Sequence, residues 1–161
     1  MPDDNPPKKQ IKLERTYRTS AEKVWELWTT TSGIESWWGP DGFEVNVDKL
    51  DLRPGGEMRY TMTAVDPDQV RFMQQAGMPL ATEVSITYTE VEPPRRLGYT
   101  SLTDFVPDVA PYEVRTVVEI HADGGEVRMI LTFDAMHDGE WTERATMGHE
   151  SQLAKLDKLL G

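Results

Sequence analysis

The sequence predicts an α+β fold, a curved antiparallel β-sheet wrapped around one long C-terminal α-helix, with two short helices after the first strand. Three observations predict it. One segment of period-two alternation precedes two helix starts. About six further alternating segments follow, joined by short turns, which makes an antiparallel meander. The last stretch, about twenty residues long, carries an apolar stripe at helical spacing. A sheet with one apolar face needs such a helix to cover it.

The elements follow in order. Ile11, Leu13 and Tyr17 alternate with Lys12, Glu14 and Thr16 in the first strand, which places Arg15 on its apolar face. Thr19-Ser20-Ala21-Glu22 reads as a capping box, with Thr19 as N-cap. Ala21, Val24, Trp25 and Trp28 then form one helical face. Ser32-Gly33-Ile34-Glu35 reads as a second box, opening a short helix that Gly39 and Pro40 stop. Phe43, Val45 and Val47 alternate, Arg53-Pro54-Gly55-Gly56 turns the chain, and Met58, Tyr60, Met62 and Ala64 alternate back as a hairpin. Asp66-Pro67-Asp68 starts a helix with Pro67 at its first position, and Gly77-Met78-Pro79 ends it.

Strand alternation returns at Val84, Ile86 and Tyr88. Glu92-Pro93-Pro94-Arg95 turns into Leu97, Tyr99 and Ser101. A loop over 103–111 holds Phe105, Pro107 and Pro111. Val114, Thr116, Val118 and Ile120 run to a tight turn at Asp123-Gly124-Gly125, and Val127, Met129, Leu131 and Phe133 run back. Asp138 or Gly139 leads into the terminal helix. Its stripe contains Trp141, Ala145, Gly148, His149, Gln152, Leu153, Leu156, Leu159 and Leu160.

Composition bounds the function. The 161 residues suit one compact domain over 11–161, with 1–10 read as a disordered arm. A net charge of −11 disfavours nucleic acid and anionic membrane surfaces as partners. The absence of cysteine excludes disulfides, thiolate nucleophiles and Cys-ligated metals. It fits a reducing compartment, and no apolar run is long enough to span a bilayer. The expectation is a cytoplasmic protein without cofactor or metal. His121, His137 and His149 fit no zinc spacing, and Asp66-Pro67-Asp68 lacks the later ligands of a calcium loop.

At several points the chain resembles a known family. Tyr17-Arg18-Thr19-Ser20-Ala21-Glu22-Lys23-Val24-Trp25, Trp37-Trp38-Gly39-Pro40 with Gly42-Phe43, Leu52-Arg53-Pro54-Gly55-Gly56, Val91-Glu92-Pro93-Pro94-Arg95-Arg96-Leu97 and the terminal Gln152–Leu160 run occur in the order seen in it. They resemble the SRPBCC (START-like) superfamily, and within it the AHSA1-like domains, homologues of an Hsp90 ATPase activator. The resemblance implies a helix-grip fold with a cavity between sheet and helix. It implies a small apolar or aromatic ligand there. Gly148-His149 departs from the Gly-Trp pair that the branch often carries.

The expected ligand-binding residues are Trp38, Tyr60, Met62, Phe72, Tyr88, Tyr99, His149, Gln152 and Leu153. Inward Met and Tyr side chains suit either a plain core or an adaptable pocket, and a buried Tyr hydroxyl needs a partner. His149 sits mid-stripe, where it either meets a ligand or bonds a neighbour such as Arg15. Arg15 either anchors a ligand or pairs with an acid from the sheet or the last helix. Trp37 and Trp38 flank the opening, one packed and one partly exposed. Residues 66–81, with Phe72, form either a lid or an ordinary insertion. The first functional reading is a binding protein. The second is a cyclase, dehydratase or isomerase using His149 with Tyr or Arg15. The third is a chaperone-regulating partner. Edge strands and spare tryptophans leave a homodimer open.

Overall fold

The computed structural model describes residues 9–39, 42–103 and 108–160. The expected arm, Pro40, and Phe105 and Pro107 of the expected loop lie outside these, the arm except for its last two residues. Seven strands form one antiparallel sheet in the order β1-β7-β6-β5-β4-β3-β2. They are β1 (Gln10–Tyr17), β2 (Phe43–Leu50), β3 (Glu57–Ala64), β4 (Ala81–Glu92), β5 (Arg96–Thr103), β6 (Tyr112–Asp123) and β7 (Glu126–Asp134). Helices α1 (Ala21–Thr29) and α2 (Thr31–Trp37) follow β1, α3 (Pro67–Gln75) joins β3 to β4, and α4 (Gly139–Leu160) ends the chain. This is the helix-grip arrangement.

The order of elements matches the alternation, but two caps are not where the boxes placed them. Ser20, not Thr19, caps α1, its hydroxyl accepting from the Lys23 N–H at 3.2 Å. Thr30 ends α1 and starts α2. Its N–H donates to Glu26 O at 3.1 Å while its hydroxyl accepts from Gly33 N at 3.0 Å. Two helices sharing one residue leave no room for a cap at Ser32. Glu35 is therefore free of capping duty, and its carboxylate accepts the Val47 N–H on edge strand β2 at 2.8 Å. The tight α1–α2 corner requires Gly33, since a Cβ there would sit 2.5 Å from Glu26 O. On α3, by contrast, Asp66 is the cap and Pro67 opens the helix, as the sequence predicts.

The core lies between the sheet and the helices. Trp28 and Trp37 pack edge-on with ring centroids 4.7 Å apart, and Trp38 closes the trio at 5.4 and 5.3 Å. Both Trp37 and Trp38 are buried, so the expected half-exposed tryptophan is absent from this pair. The Trp37 indole donates to Leu27 O at 2.8 Å, which satisfies its polar atom inside the core. Leu153 and Leu156 of α4 are fully buried, whereas Leu159, at the far edge of the stripe, faces solvent.

Polar contacts fix where α4 lies. Arg15 of β1 pairs with Glu150 and, at 3.4 Å, with Asp157. The Tyr17 hydroxyl donates to Asp157 Oδ1 at 2.7 Å. On the opposite flank, Gln152 Oε1 accepts the Gly39 N–H at 3.2 Å and Lys155 donates to Gly39 O at 3.1 Å. The helix is thus tied to β1 on one side and to the exit of α2 on the other. Arg15 takes its acids from the last helix, one of the two roles open to it from sequence.

Candidate functional site

A cavity of about 360 Å³ lies between the inner face of the sheet and α4. That volume falls within the range of small-molecule sites. Strand register explains its wall. Tyr60 is paired with Val84, Ile86 with Ser101, Tyr99 with Thr116, and Thr116 with Phe133. These inward positions form a continuous band across five strands, because side chains directly opposite in a ladder share a face. The other wall is α4, where Trp141, Ala145, His149 and Gln152 repeat at steps of a helical turn. Trp38, at the exit of α2, closes one end, and Leu102, Thr103, Asp134, Met136 and Arg144 ring the other.

Five of the nine expected binding residues meet here: Trp38, Tyr60, Tyr99, His149 and Gln152. Four stand elsewhere. Leu153 is core, because it points one helical step away from Gln152. Met62 is half-buried against the core. Tyr88 is buried, beyond the cavity wall. Phe72 faces solvent on α3, since it is Met73 that turns inward there. Thr116 and Phe133 were missed as wall residues. Their alternation was visible, and the register that sets them beside Tyr99 was not. Arg144 and Met136 carry no sequence signal for a place on the rim.

His149 is strongly perturbed by its place on the wall. Its ring lies against Phe133, centroids 4.3 Å apart and planes tilted by 37°. Burial pushes its pKa down to about 4, so the imidazole is neutral near pH 7. Neither ring nitrogen has a hydrogen-bond partner among the described residues, and Arg15 is engaged with α4 acids instead. A neutral imidazole offers one donor and one acceptor.

The phenols are shifted the other way. Burial raises the pKa of Tyr60, partly offset by a hydrogen bond from Trp38. Burial raises that of Tyr99 too, with the neighbouring Tyr60 and Tyr88 hydroxyls, against a hydrogen bond from Thr116. Both remain protonated donors at neutral pH. On the rim, Asp134 accepts the Arg115 N–H at 3.1 Å and the Gln10 amide at 3.4 Å. Arg144 pairs with Glu140 at 2.9 Å and lies 5.0 Å over the Trp141 ring. Among the described residues no cluster of His, Asp and Glu is arranged to hold a metal ion. Among the described residues no helix is long and apolar enough to cross a membrane.

A sheet gripping one long helix, with a cavity between them, defines a helix-grip protein. The solved structures agree. Protein CV1439 from Chromobacterium violaceum superposes with a TM-score of 0.76 at 20% identity, over 94% of this chain and 96% of that one. The AHSA1 protein SPO3351 from Silicibacter pomeroyi gives 0.71 at 24% identity, over 94% and 97%. CalU16 from Micromonospora echinospora gives 0.65 at 18% identity, over 94% and 76%. At such identities the likeness is one of fold. No curated protein matches the sequence. The model of the Activator of Hsp90 ATPase homolog 1-like protein family matches residues 18–161, and the chain belongs to that family.

Proposed function

We propose that this protein binds a small apolar or aromatic molecule in the cavity between the sheet and α4. The observation that carries the reading is the wall itself. Aromatic side chains from the exit of α2, three strands and α4 converge on one space, with a half-buried, unpartnered neutral imidazole among them. Trp38 sits 6.1 Å from both Tyr60 and Tyr99, centroid to centroid, so flat surfaces surround the space. Apolar walls with a few placed polar groups suit a ligand that leaves water.

An acid–base enzyme is the second reading, and His149 is what favours it. A neutral imidazole near pH 7 is a competent proton acceptor, although a pKa near 4 makes it a weak base. Arg15, the other expected participant, is committed to Glu150 and Asp157 and contributes nothing to the cavity.

Native mass spectrometry of gently purified protein, followed by extraction, tests the binding reading. A stoichiometric apolar species is the expected result. An empty protein that no apolar or aromatic compound stabilises in a thermal-shift screen overturns it.

A further inference from the structure

The sheet ends in β1 on one side and β2 on the other, and the two edges differ. The β2 edge is obstructed. The Glu35 carboxylate accepts its Val47 N–H at 2.8 Å, and the register shifts between Val47 and Lys49, where the strand bulges. Strand β1 pairs with β7 without a break from Gln10 to Tyr17. The Ala135 N–H donates to Lys9 O at 2.7 Å, which fixes the parity of that ladder. Ile11, Leu13 and Arg15 turn their backbone groups toward β7, and Gln10, Lys12, Glu14 and Thr16 turn theirs outward. Of these outward groups only Glu14 O is engaged among the described residues, by the Arg15 guanidinium at 2.9 Å, and a carbonyl can accept a second bond.

We propose that β1 pairs antiparallel with β1 of a second copy of this chain, with Leu13 on the two-fold axis. The open edge is complementary to itself in that register. Residues that exchange backbone bonds across the axis must both point outward, so Lys12 meets Glu14 of the second copy, twice, and Gln10 meets its Thr16. One step of the ladder either way sets Lys12 against Lys12 or Glu14 against Glu14, and like charges directly opposite are unfavourable. Within one chain Lys12 Nζ lies 3.3 Å from Glu14 Oε1. Such an exposed pair is worth little, so it is free to re-form across the axis. On the inner face Ile11 and Leu13 are only half-buried. Strand β1 and α4 run in opposite directions, since Tyr17 bonds Asp157, Arg15 pairs with Glu150, and Lys9 shares a groove with Thr142 and Thr146. Met147 thus comes level with Ile11 and Leu13, and it is 66% exposed. Pairing sets Leu13 against Leu13 at the close spacing of a non-hydrogen-bonded pair and covers this open apolar flank.

Sedimentation equilibrium of the full chain at about 0.15 M salt, which screens the repulsion between two copies of charge −11, reads the association. A reversible dimer in the micromolar range is expected. Lys12→Glu and Glu14→Lys are each expected to weaken it at least about tenfold, since either one opposes like charges at both crossings. Mixed in equal amounts, the two variants are expected to associate as strongly as the unaltered chain, because each supplies the charge that the other needs. Neither variant holds an opposite-charge pair at these positions within its own strand, so the rescue arises only between copies. The chain has no cysteine, so Leu13→Cys can form a disulfide only with a second copy. It is expected to do so in oxidised glutathione, whereas Gln10→Cys, which lies far from its own counterpart in this register, is not. A monomer at every concentration, a dimer indifferent to both charge variants, or a mixture no stronger than its parts overturns the proposal. Crosslinking of Gln10→Cys as readily as Leu13→Cys overturns it as well.

Discussion

The His149 ring of α4 lies against Phe133 of β7, centroids 4.3 Å apart and planes tilted by 37°, with no hydrogen-bond partner among the described residues. A histidine in that setting is a pH liability. Its pKa in the folded protein is about 4, below the ordinary value of 6.5. Between those values the unfolded chain binds a proton that the folded chain refuses. Stability therefore falls as pH drops from about 6.5 to about 4, and the loss levels off below that. A shift of this size corresponds to about 3 kcal/mol at the acid end. His149→Phe removes the proton site and keeps an aromatic ring on Phe133. Urea unfolding at pH 7 and at pH 4.5 is expected to show the variant losing about 2 kcal/mol less than the parent between the two. Asp134 and Arg144 share the cavity and are present in both proteins, so the difference isolates His149. Equal losses would mean that the imidazole is solvated.

The anchoring of α4 predicts where the grip is weakest. Asp157 receives both the Tyr17 hydroxyl, at 2.7 Å, and Arg15. Tyr17→Phe deletes one hydrogen bond and leaves the carboxylate its cation, for an expected cost of about 1 kcal/mol. Asp157→Ala strands a buried phenol and half of a guanidinium network, and is expected to cost about 2 kcal/mol. Arg15 keeps Glu150 in either variant, so the pair of mutations should not be additive. Chemical denaturation of both single variants and the double variant measures this. A double variant equal to the sum of the two would place Tyr17 and Asp157 in separate interactions.

These relationships also mark what a sequence can and cannot say. Alternation along one strand is local, so Met58, Tyr60 and Ile86 were legible as inward residues. Which of them meets a void is not local. It depends on how far α4 stands off the sheet, and that distance is set by pairs such as Gln152 with Gly39, separated by 113 positions. Leu153 and Gln152 are adjacent in sequence and both belong to the stripe, yet one is core and the other cavity wall. Phe72 and Met73 are adjacent on α3, and the wheel alone allowed either to face inward. The caps at Ser20 and Thr30 were misplaced because several hydroxyl residues stand in succession. Only the corner at Gly33 decides which of them ends a helix.

Tyr88 offers the last test. Its hydroxyl is buried without a hydrogen-bond partner among the described residues, although its backbone is paired with Gly55 and Gly56. Burial alone pushes its pKa up to about 12. An unpaired buried hydroxyl carries the full cost of leaving water and returns nothing, so its removal should be favourable. Tyr88→Phe keeps the ring that packs against the core and deletes the one unsatisfied atom. The expected outcome is a gain of about 1 kcal/mol in stability, read as a higher midpoint in urea at unchanged slope. A loss of about the same size would mean that the hydroxyl has a partner in solution, and a buried water joining it to Tyr99 is the simplest one the geometry allows.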